Sequence, residues 1–493
     1  MTEATRKKPL TVYEQAIRQE LALLLVDPHV PGWLTTMRRE TLAELDVAGV
    51  PSRRQETWRY VNLRPWLAHS FSRVQAAGRV VPENLTAWLH PHFLPDAWRL
   101  VFVDGVFMPA LSQRDGLPEA VYAGSLQTLI ERDPDGETLA ALQGVMNQTP
   151  DGTQDGPDAL ALINTLLFSD GFALRVPAGV QLSRPVQVMN VSVESQLSPH
   201  KAIYTRNVMM LEEGAEATVL MQSIGIPDRA GQAQDVLVAR SPEAILHNLV
   251  HDAVIAPKAR LNLVHLQNET ERTAHLAHTR VAVQTEGQCH LTTVAFGAAL
   301  ARHAVSLITG GAHAEATMNG LTVCANQQEI FHHTTVDHAV PDGVTDQVYK
   351  SILDDQSRME FYGTVVVDQY AQGTNAGQLN KSMLLSDAAR VITRPQLKIY
   401  ADDVKCSHGA TVGELDADQL FYLASRGLSH DLAECLLTYG FAEEILQRLT
   451  SLVIRRYLDG LLLAALSQKQ SPLSCGISCA TCALGGHPPD HAH

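Results

Sequence analysis

The sequence predicts a mainly β protein, a parallel β-helix core flanked by N-terminal and C-terminal helical regions. Three observations carry that expectation. From Gly171 onward, short β-rich runs such as Val186 to Val193, Asn207 to Leu211, Thr218 to Met221 and Leu261 to Leu266 follow one another without a long helical pattern. Several open on one loose formula, a turn residue, then a small residue, then alternation. Examples begin at Glu213, Pro257, Glu286, Gly311, Asp355 and Asp387, at irregular intervals. Helical apolar spacing is confined to the two ends of the chain. So long a series of strands needs an architecture with few exposed edges, and stacked coils leave edges only at their ends, which then need caps. A β-sandwich would hold the strands equally well but gives no reason for the repetition.

The elements follow in order. Tyr13, Ile17, Leu21 and Leu24 recur at helical spacing, and Trp33, Met37, Leu42 and Leu45 suggest a second helix. Pro51, Pro65 and Pro82 punctuate this region. Leu100 to Met108 reads as two short strands around an Asp-Gly turn. Helical patterns return between Leu126 and Phe168, interrupted by a Thr/Asp/Gly/Pro-rich loop at 147–158. After Leu415, Leu420, Leu423 and Ala424 precede Gly427 as a stop, and Ser429 caps a helix with Asp431 in its first turn. Leu432, Cys435, Leu436 and Tyr439 should form its apolar face, continued by Ile445, Leu449, Val453 and Leu461 to Leu466. The expected division is a helical region over 1–165 with a short hairpin, a β-helix over 166–414, a helical domain over 415–470 and a Cys/His-rich tail over 471–493.

Composition narrows the function. The chain has 493 residues, 45% hydrophobic and 18% charged, so it can bury a full core and is no disordered polyelectrolyte. A net charge of −15 argues against general binding to nucleic acid or anionic lipid. The N-terminus has no apolar run fit for a secretory signal, and Arg455, Arg456 and Asp459 interrupt the most apolar late segment. A cytoplasmic protein is expected. Seven cysteines, an odd number, are too sparse for a disulfide scaffold. Cys435 should lie in the core, and Cys289 and Cys324 should pack within the β-region.

The strongest local signal is Pro395 to Thr411, an alternating strand ending in Cys406-Ser-His408. Alternation places the thiol and the imidazole on one face. Such a pair can hold a soft or borderline metal or act as nucleophile and base, although isolated Cys-x-His pairs are usually incidental. Asp402, Asp403 and Lys405 read as a solvated face. Among the histidines, His247 and His251 have helical spacing within a β-region and are read as facing different ways. His332 and His333 should point to opposite faces. Most are expected at the surface or in stacks, and no metal is assigned to them.

Asn375 to Ser386 followed by Pro395 to Gly413 closely resembles the SufB/SufD family of the Suf iron–sulfur cluster assembly system. Glu56 to Tyr60, Asp170-Gly171 with Val176 to Leu182, His333 to His338 and Phe421 to Gly427 extend the resemblance over nearly the whole chain to about residue 450. The SufB side of the family typically has Cys-Glu-His where this chain has Cys406-Ser-His408, which points to the SufD side. The resemblance implies a right-handed parallel β-helix that pairs with a SufB-type paralogue. It also implies C-terminal helices that dock a SufC-type ABC ATPase, here through Ser429, Leu432, Leu436, Tyr439 and Phe441. His408 would inherit a place at the cluster-assembly interface, with Cys406 in a lesser role. The implied protein is a scaffold and no enzyme, with no tightly bound cofactor but a transient iron–sulfur cluster at the SufB interface, and a homodimer is possible in isolation. The chain carries no Gly-x-x-x-x-Gly-Lys-Ser/Thr loop, so ATP hydrolysis would have to come from a partner. No flavin motif is present.

The tail falls outside the resemblance. Cys475, Cys479 and Cys482 with His487 offer three thiolates and an imidazole, a set suited to zinc or an iron–sulfur cluster. The cysteine spacing equals that of radical-SAM motifs, but the α/β-barrel context is missing. A disordered terminus is as good a reading. Two alternatives to the scaffold remain at this stage: metal delivery through the tail, or a β-helix carbohydrate-active enzyme, which would need converging carboxylates and a secretory route.

Overall fold

The computed structural model describes residues 10–74, 82–132, 157–194, 200–227 and 244–467. Cys475, Cys479, Cys482 and His487 lie outside the described residues. Two sheets of ten strands each face one another, and from Val186 onward the chain alternates between them. Arg260 pairs in register with Gln288, Gln288 with Glu315, Glu315 with Val344, Val344 with Asn375 and Asn375 with Lys405. Pairing between successive coils is parallel throughout. The chain is therefore a parallel β-solenoid of about seven turns. Its coils begin before Gly171, because Trp98–Val103 pairs in parallel with Val186–Val193. The antiparallel turn at Asp104-Gly105 joins that strand to Val106–Phe107, as the Asp-Gly signal predicts.

The irregular repeat has a physical origin in two interleaved corners. At the first, Gly214, Lys258, Glu286, His313, Asp342 and Gly373 all take positive φ, between 56° and 73°. Several donate their backbone N–H to the coil above: Gly214 to Pro257 O at 3.0 Å, Lys258 to Thr285 O at 3.0 Å, Asp342 to Gln372 O at 2.9 Å. Left-handed backbone is costly for side chains larger than glycine, and this ladder offsets the cost. The residue that follows must be small because it points inward: Ala215, Ala259 and Ala314 are fully buried. The second corner repeats the device at Ala298, Asn326 and Asp355. The sequence formula mixes both series, hence its uneven spacing. Gly311 marks how closely neighbouring coils approach, since a Cβ there would lie 1.9 Å from Thr285 N. Gly311→Ala should therefore cost about 1–3 kcal/mol as the backbone shifts, read as a lowered urea midpoint. An unchanged midpoint would contradict this account of the corner.

Among the described residues, the helices of eight residues or more are, in chain order, α1 (Val12–Leu25), α2 (Gly32–Ala48), α3 (Ala159–Leu167), α4 (Ala417–Ser425), α5 (His430–Leu446) and α6 (Leu452–Ser467). Thr11 and Glu14 form a capping box on α1, whose Tyr13, Ile17, Leu21 and Leu24 are buried as their spacing predicts. In α2 the buried stripe is shifted from the expected one to Leu34, Arg38, Thr41 and Leu45, with Arg38 donating to Phe168 O at 2.7 Å. These helices and α3 cover the outer face of the sheet that contains Thr273–Val283. Helices α5 and α6 cover the outer face of the other sheet, against Leu220, Val264, Leu321, Val348 and Ile352. Cys289, Cys324 and Cys435 are buried, as expected. No helix among the described residues is long and apolar enough to cross a membrane.

Candidate functional site

The last coil is the place where the solenoid stops being covered. Arg390–Ile399 and Lys405–Gly413 each pair with a neighbour on one side only, and most of the latter strand is exposed. Within the turn between them, Asp403 accepts from Gly373 N–H at 2.7 Å, and its own N–H donates to Gln372 Oε1 at 2.8 Å. Cys406 lies in register with Ala376, and His408 with Gln378. Ala376 and Gln378 are buried and face the lumen, so the thiol and imidazole share the lumen-facing side of an open end. Cys406 is half-buried against the inner core, whereas His408 is exposed. Burial raises the Cys406 thiol above its usual pKa, only partly countered by a hydrogen bond with the Ala376 backbone. Such a thiol is a poor thiolate source until a metal or a partner's charge lowers its pKa. Asp402, Asp403 and Lys405 are exposed, as a solvated face should be.

Two distant motifs meet beside this end. Arg394, on the outer face of Arg390–Ile399, reaches Glu360 Oε1 at 2.7 Å and Glu56 Oε1 at 3.4 Å. Its guanidinium also lies over the rings of Tyr362 and Tyr60, 4.3 and 5.2 Å from their centroids. Glu360 holds His333 Nε2 at 3.1 Å. The Glu56–Tyr60 and His333 segments thus brace the outside of the terminal coils. Asp170 is structural as well: its buried carboxylate accepts from Ser125 Oγ at 2.8 Å, Gln127 N at 3.1 Å and Gly171 N at 2.7 Å.

The histidines correct the sequence reading. Residues four apart on a strand share a face, so His247 and His251 both point into the lumen, where both are buried. Within the solenoid the surface half of the expectation fails for seven more, since His265, His275, His278, His303, His332, His333 and His338 are buried, while the expected stacking holds for several. His332 and His333 do face opposite ways, the first into the lumen and the second towards Glu360. Inside, ring centroids follow one another coil by coil, His247 to His275 at 5.9 Å, His275 to His303 at 4.9 Å and His303 to His332 at 5.2 Å. His332 Nε2 meets Thr322 Oγ1 at 2.7 Å, Thr334 donates to Gln347 at 2.9 Å, and Gln378 reaches Gln347 at 3.4 Å. A polar track therefore runs through the lumen to the coil that carries His408. Burial, aided by neighbouring imidazoles, pushes His265 and His332 down to about 3, and His251 and His303 well below the usual value. These rings are neutral at physiological pH.

At the C-terminal helices, Ser429 caps α5 by accepting from Leu432 N–H at 3.3 Å. The buried face of α5 is Ala433, Cys435, Thr438, Ala442, Ile445 and Leu446, a stripe rotated from the one expected. Leu432 is half-buried and Leu436 is 38% exposed. Tyr439 turns to Asp459 at 2.6 Å, and Phe441 lies under Lys350 Nζ, 4.4 Å from the ring centroid. Ser429, Leu432, Leu436 and Tyr439 share one side of α5 by helical spacing, whereas Phe441 points away from it towards Lys350. Helix α4 buries none of its residues, and Phe421 and Tyr422 are 76% and 55% exposed, an apolar surface the docking expectation had not named. The signal available was an aromatic pair on a helix with little else to pack.

The chain matches two family models over most of its length. Residues 193–441 match the SufBD core domain of the SUF system for FeS cluster assembly, and residues 11–188 match the SufBD protein N-terminal region. A SufBD-family iron–sulfur cluster assembly protein of Synechocystis sp. is 31% identical over 462 residues, covering 91% of this chain and 96% of that protein. The iron–sulfur cluster assembly protein SufD of Escherichia coli is 29% identical, covering 83% of this chain and 88% of that one. The chloroplastic protein ABCI7 of Arabidopsis thaliana is 29% identical, covering 82% and 80%.

Proposed function

The chain belongs to the SufBD family of iron–sulfur cluster assembly proteins, and on that premise we propose that it is the SufD-like scaffold subunit of a cytoplasmic SufB–SufC–SufD-type complex. In this reading it is not an enzyme. It completes a cluster-assembly interface with a SufB-type paralogue and couples that interface to a SufC-type ATPase. The iron–sulfur cluster is cargo, held transiently between subunits.

One observation carries the proposal: the solenoid ends in an uncovered coil that presents His408, with Cys406 beside it, on the lumen-facing side. An unpaired strand edge invites another strand, and a second solenoid end is the natural cover. An imidazole and a thiol at that seam supply borderline and soft ligands for iron. The raised pKa of Cys406 supports His408 as the principal ligand, with the thiolate supplied by the partner. A homodimer through the same edge is the state expected when the paralogue is missing. Membership of this family leaves the carbohydrate-active alternative without support.

The test is anaerobic co-expression with SufB-type and SufC-type partners, followed by iron and acid-labile sulfide analysis per complex. His408→Ala should leave the three-subunit complex intact and lower cluster content several-fold. Cluster content equal to that of the unsubstituted complex would remove His408 from the assembly site. Replacing Cys475, Cys479 and Cys482 by Ser separates the remaining alternative, since delivery through the tail predicts loss of bound metal with partner binding unaffected.

A further inference from the structure

Deep in the lumen, several coils from the open end, His247 and His275 face each other in register on adjacent strands. Glu269, at the corner preceding Thr273–Val283, reaches between them. Its Oε1 lies 2.6 Å from His247 Nδ1 and its Oε2 2.7 Å from His275 Nδ1. All three side chains are fully buried or nearly so, at 1%, 0% and 4% exposure. We infer that His247, Glu269 and His275 form a buried site for one borderline divalent transition-metal ion of the zinc or ferrous class. This site goes beyond the scaffold function and does not depend on partner assembly.

The donor chemistry selects the class of ion. Two imidazoles and one carboxylate suit Zn2+ and Fe2+, and both of these take imidazole in preference to an all-oxygen shell. The geometry is within reach. The three donor atoms lie within 4.8 Å of one another, and metal–ligand bonds of about 2.0–2.2 Å in a tetrahedral arrangement separate the ligands by about 3.4 Å. Glu269, now 2.6 and 2.7 Å from the two imidazole nitrogens, has to draw back from both to exchange its two hydrogen bonds for one ion.

The surroundings hold the carboxylate as outer-shell groups hold a ligand. Gln267 Nε2 donates to Glu269 Oε2 at 3.3 Å, and Gln267 Oε1 is fixed in turn by Gly297 N–H at 3.2 Å. The backbone at Glu269 is clamped from both neighbouring coils. A Cβ on Gly297 would lie 2.3 Å from Glu269 O, and one on Gly225 would lie 3.2 Å from Glu269 Cα. Positioning of this kind is what a preformed ligand requires.

Unmet polarity makes the same case. Among the described residues no Lys or Arg ion-pairs with Glu269; only the two imidazoles do. His247 Nε2 and, one step along the track, His303 Nε2 are buried without a hydrogen-bond partner among the described residues. A packing role would be met by aliphatic side chains of the kind that fill the other half of the lumen, such as Leu261, Val281 and Leu291. A surface cavity of about 220 Å3, lined by Trp88, His92, Ile226, Asn268, Glu269 and Thr270, abuts the corner, and the fully buried Glu269 side chain separates it from the two imidazoles.

The experiment uses the full chain with Cys475, Cys479 and Cys482 replaced by Ser, stripped with chelator and titrated anaerobically with Co2+. One equivalent should bind, with d–d absorption and no thiolate-to-cobalt charge transfer. Glu269→Gln and His275→Gln keep a hydrogen-bonding side chain of similar size in place. Each should weaken Co2+ binding by more than the roughly 10- to 100-fold that outer-shell changes cost. Circular dichroism reports whether they fold. X-ray absorption on the zinc-loaded parent needs no variant and should show a nitrogen/oxygen shell with outer scattering from two imidazoles. Failure to bind Co2+, equal affinity in both folded variants, or a zinc shell that contains sulfur or lacks imidazole scattering would each overturn the assignment.

Discussion

Asp252→Ala is expected to lower the unfolding free energy by about 3–5 kcal/mol, as the loss of one partner from a buried ion cluster does. Asp252 lies on the outer face of Ala244–Ile255, beneath the N-terminal helices, where it is completely buried. Its two oxygens face two guanidiniums, Arg206 Nη2 at 2.7 Å and Arg280 Nε at 2.7 Å. Arg206 also donates to Thr165 Oγ1 at 3.0 Å, so the cluster ties α3 to the sheet. Burial would raise the Asp252 carboxyl, but the two arginines outweigh it and hold the pKa below the ordinary value. A depressed carboxyl contributes stability that is present above its unfolded pKa, about 3.9, and is lost as pH falls through the folded value. The alanine variant leaves two cations buried and facing a cavity at every pH. Chemical denaturation of the variant at neutral pH measures the effect, and a shift below about 1 kcal/mol would mean that water reaches the arginines. Replacing all three residues by apolar side chains of similar volume should recover much of the loss, because the ions cost desolvation in the first place.

The β-helix and its flanking helices were legible because local chemistry announces them. A turn residue followed by alanine or glycine marks the first corner at Gly214, Lys258, Glu286, His313 and Asp342, and the cap at Ser429 forms as its residue type predicts. The lumen was not legible, for a definite reason. On Thr273–Val283 the apolar Ala274 and Leu276 face outward under the N-terminal helices, while His275 and Thr279 face inward. Alternation normally assigns the polar set to solvent, and here helices cover the outside and invert the assignment. The sequence therefore places these histidines at the surface or in stacks, and only the stacking holds. Helix spacing applied to His247 and His251 hid the one strand rule that would have paired them. The rotated stripe of α5 has a similar cause. Its packing is set by both the sheet and α6, and Lys350, bonded to Phe441 O at 2.9 Å, pulls the helix into a register that apolar spacing alone does not encode.

Phe421→Asp is expected to abolish co-purification of the SufC-type ATPase while leaving the fold of this chain unchanged. Helix α4 is held mainly by its caps: Asp416 accepts from Asp418 N–H at 2.8 Å and Gln419 N–H at 3.2 Å, and Gly427 ends the helix at φ 88°. With Phe421 76% exposed, its replacement removes no core contact and should move stability by less than about 0.5 kcal/mol. A helix that buries nothing of its own and carries an exposed aromatic pair next to Leu420 would, under the proposed function, gain its apolar cover from the ATPase. Aromatic anchors in such interfaces commonly contribute 2 kcal/mol or more, about 30-fold in affinity, and a buried carboxylate in their place adds a desolvation cost. The comparison that decides the matter is Ala442→Asp. Ala442 lies in the fully buried stripe of α5, so that variant should lose the ATPase by unfolding the helical domain, with a lowered melting temperature. Phe421→Asp should lose it at an unchanged melting temperature. Retention of the ATPase by Phe421→Asp would place docking on Leu436 and the α5 surface instead, and α4 would then be free for a different partner.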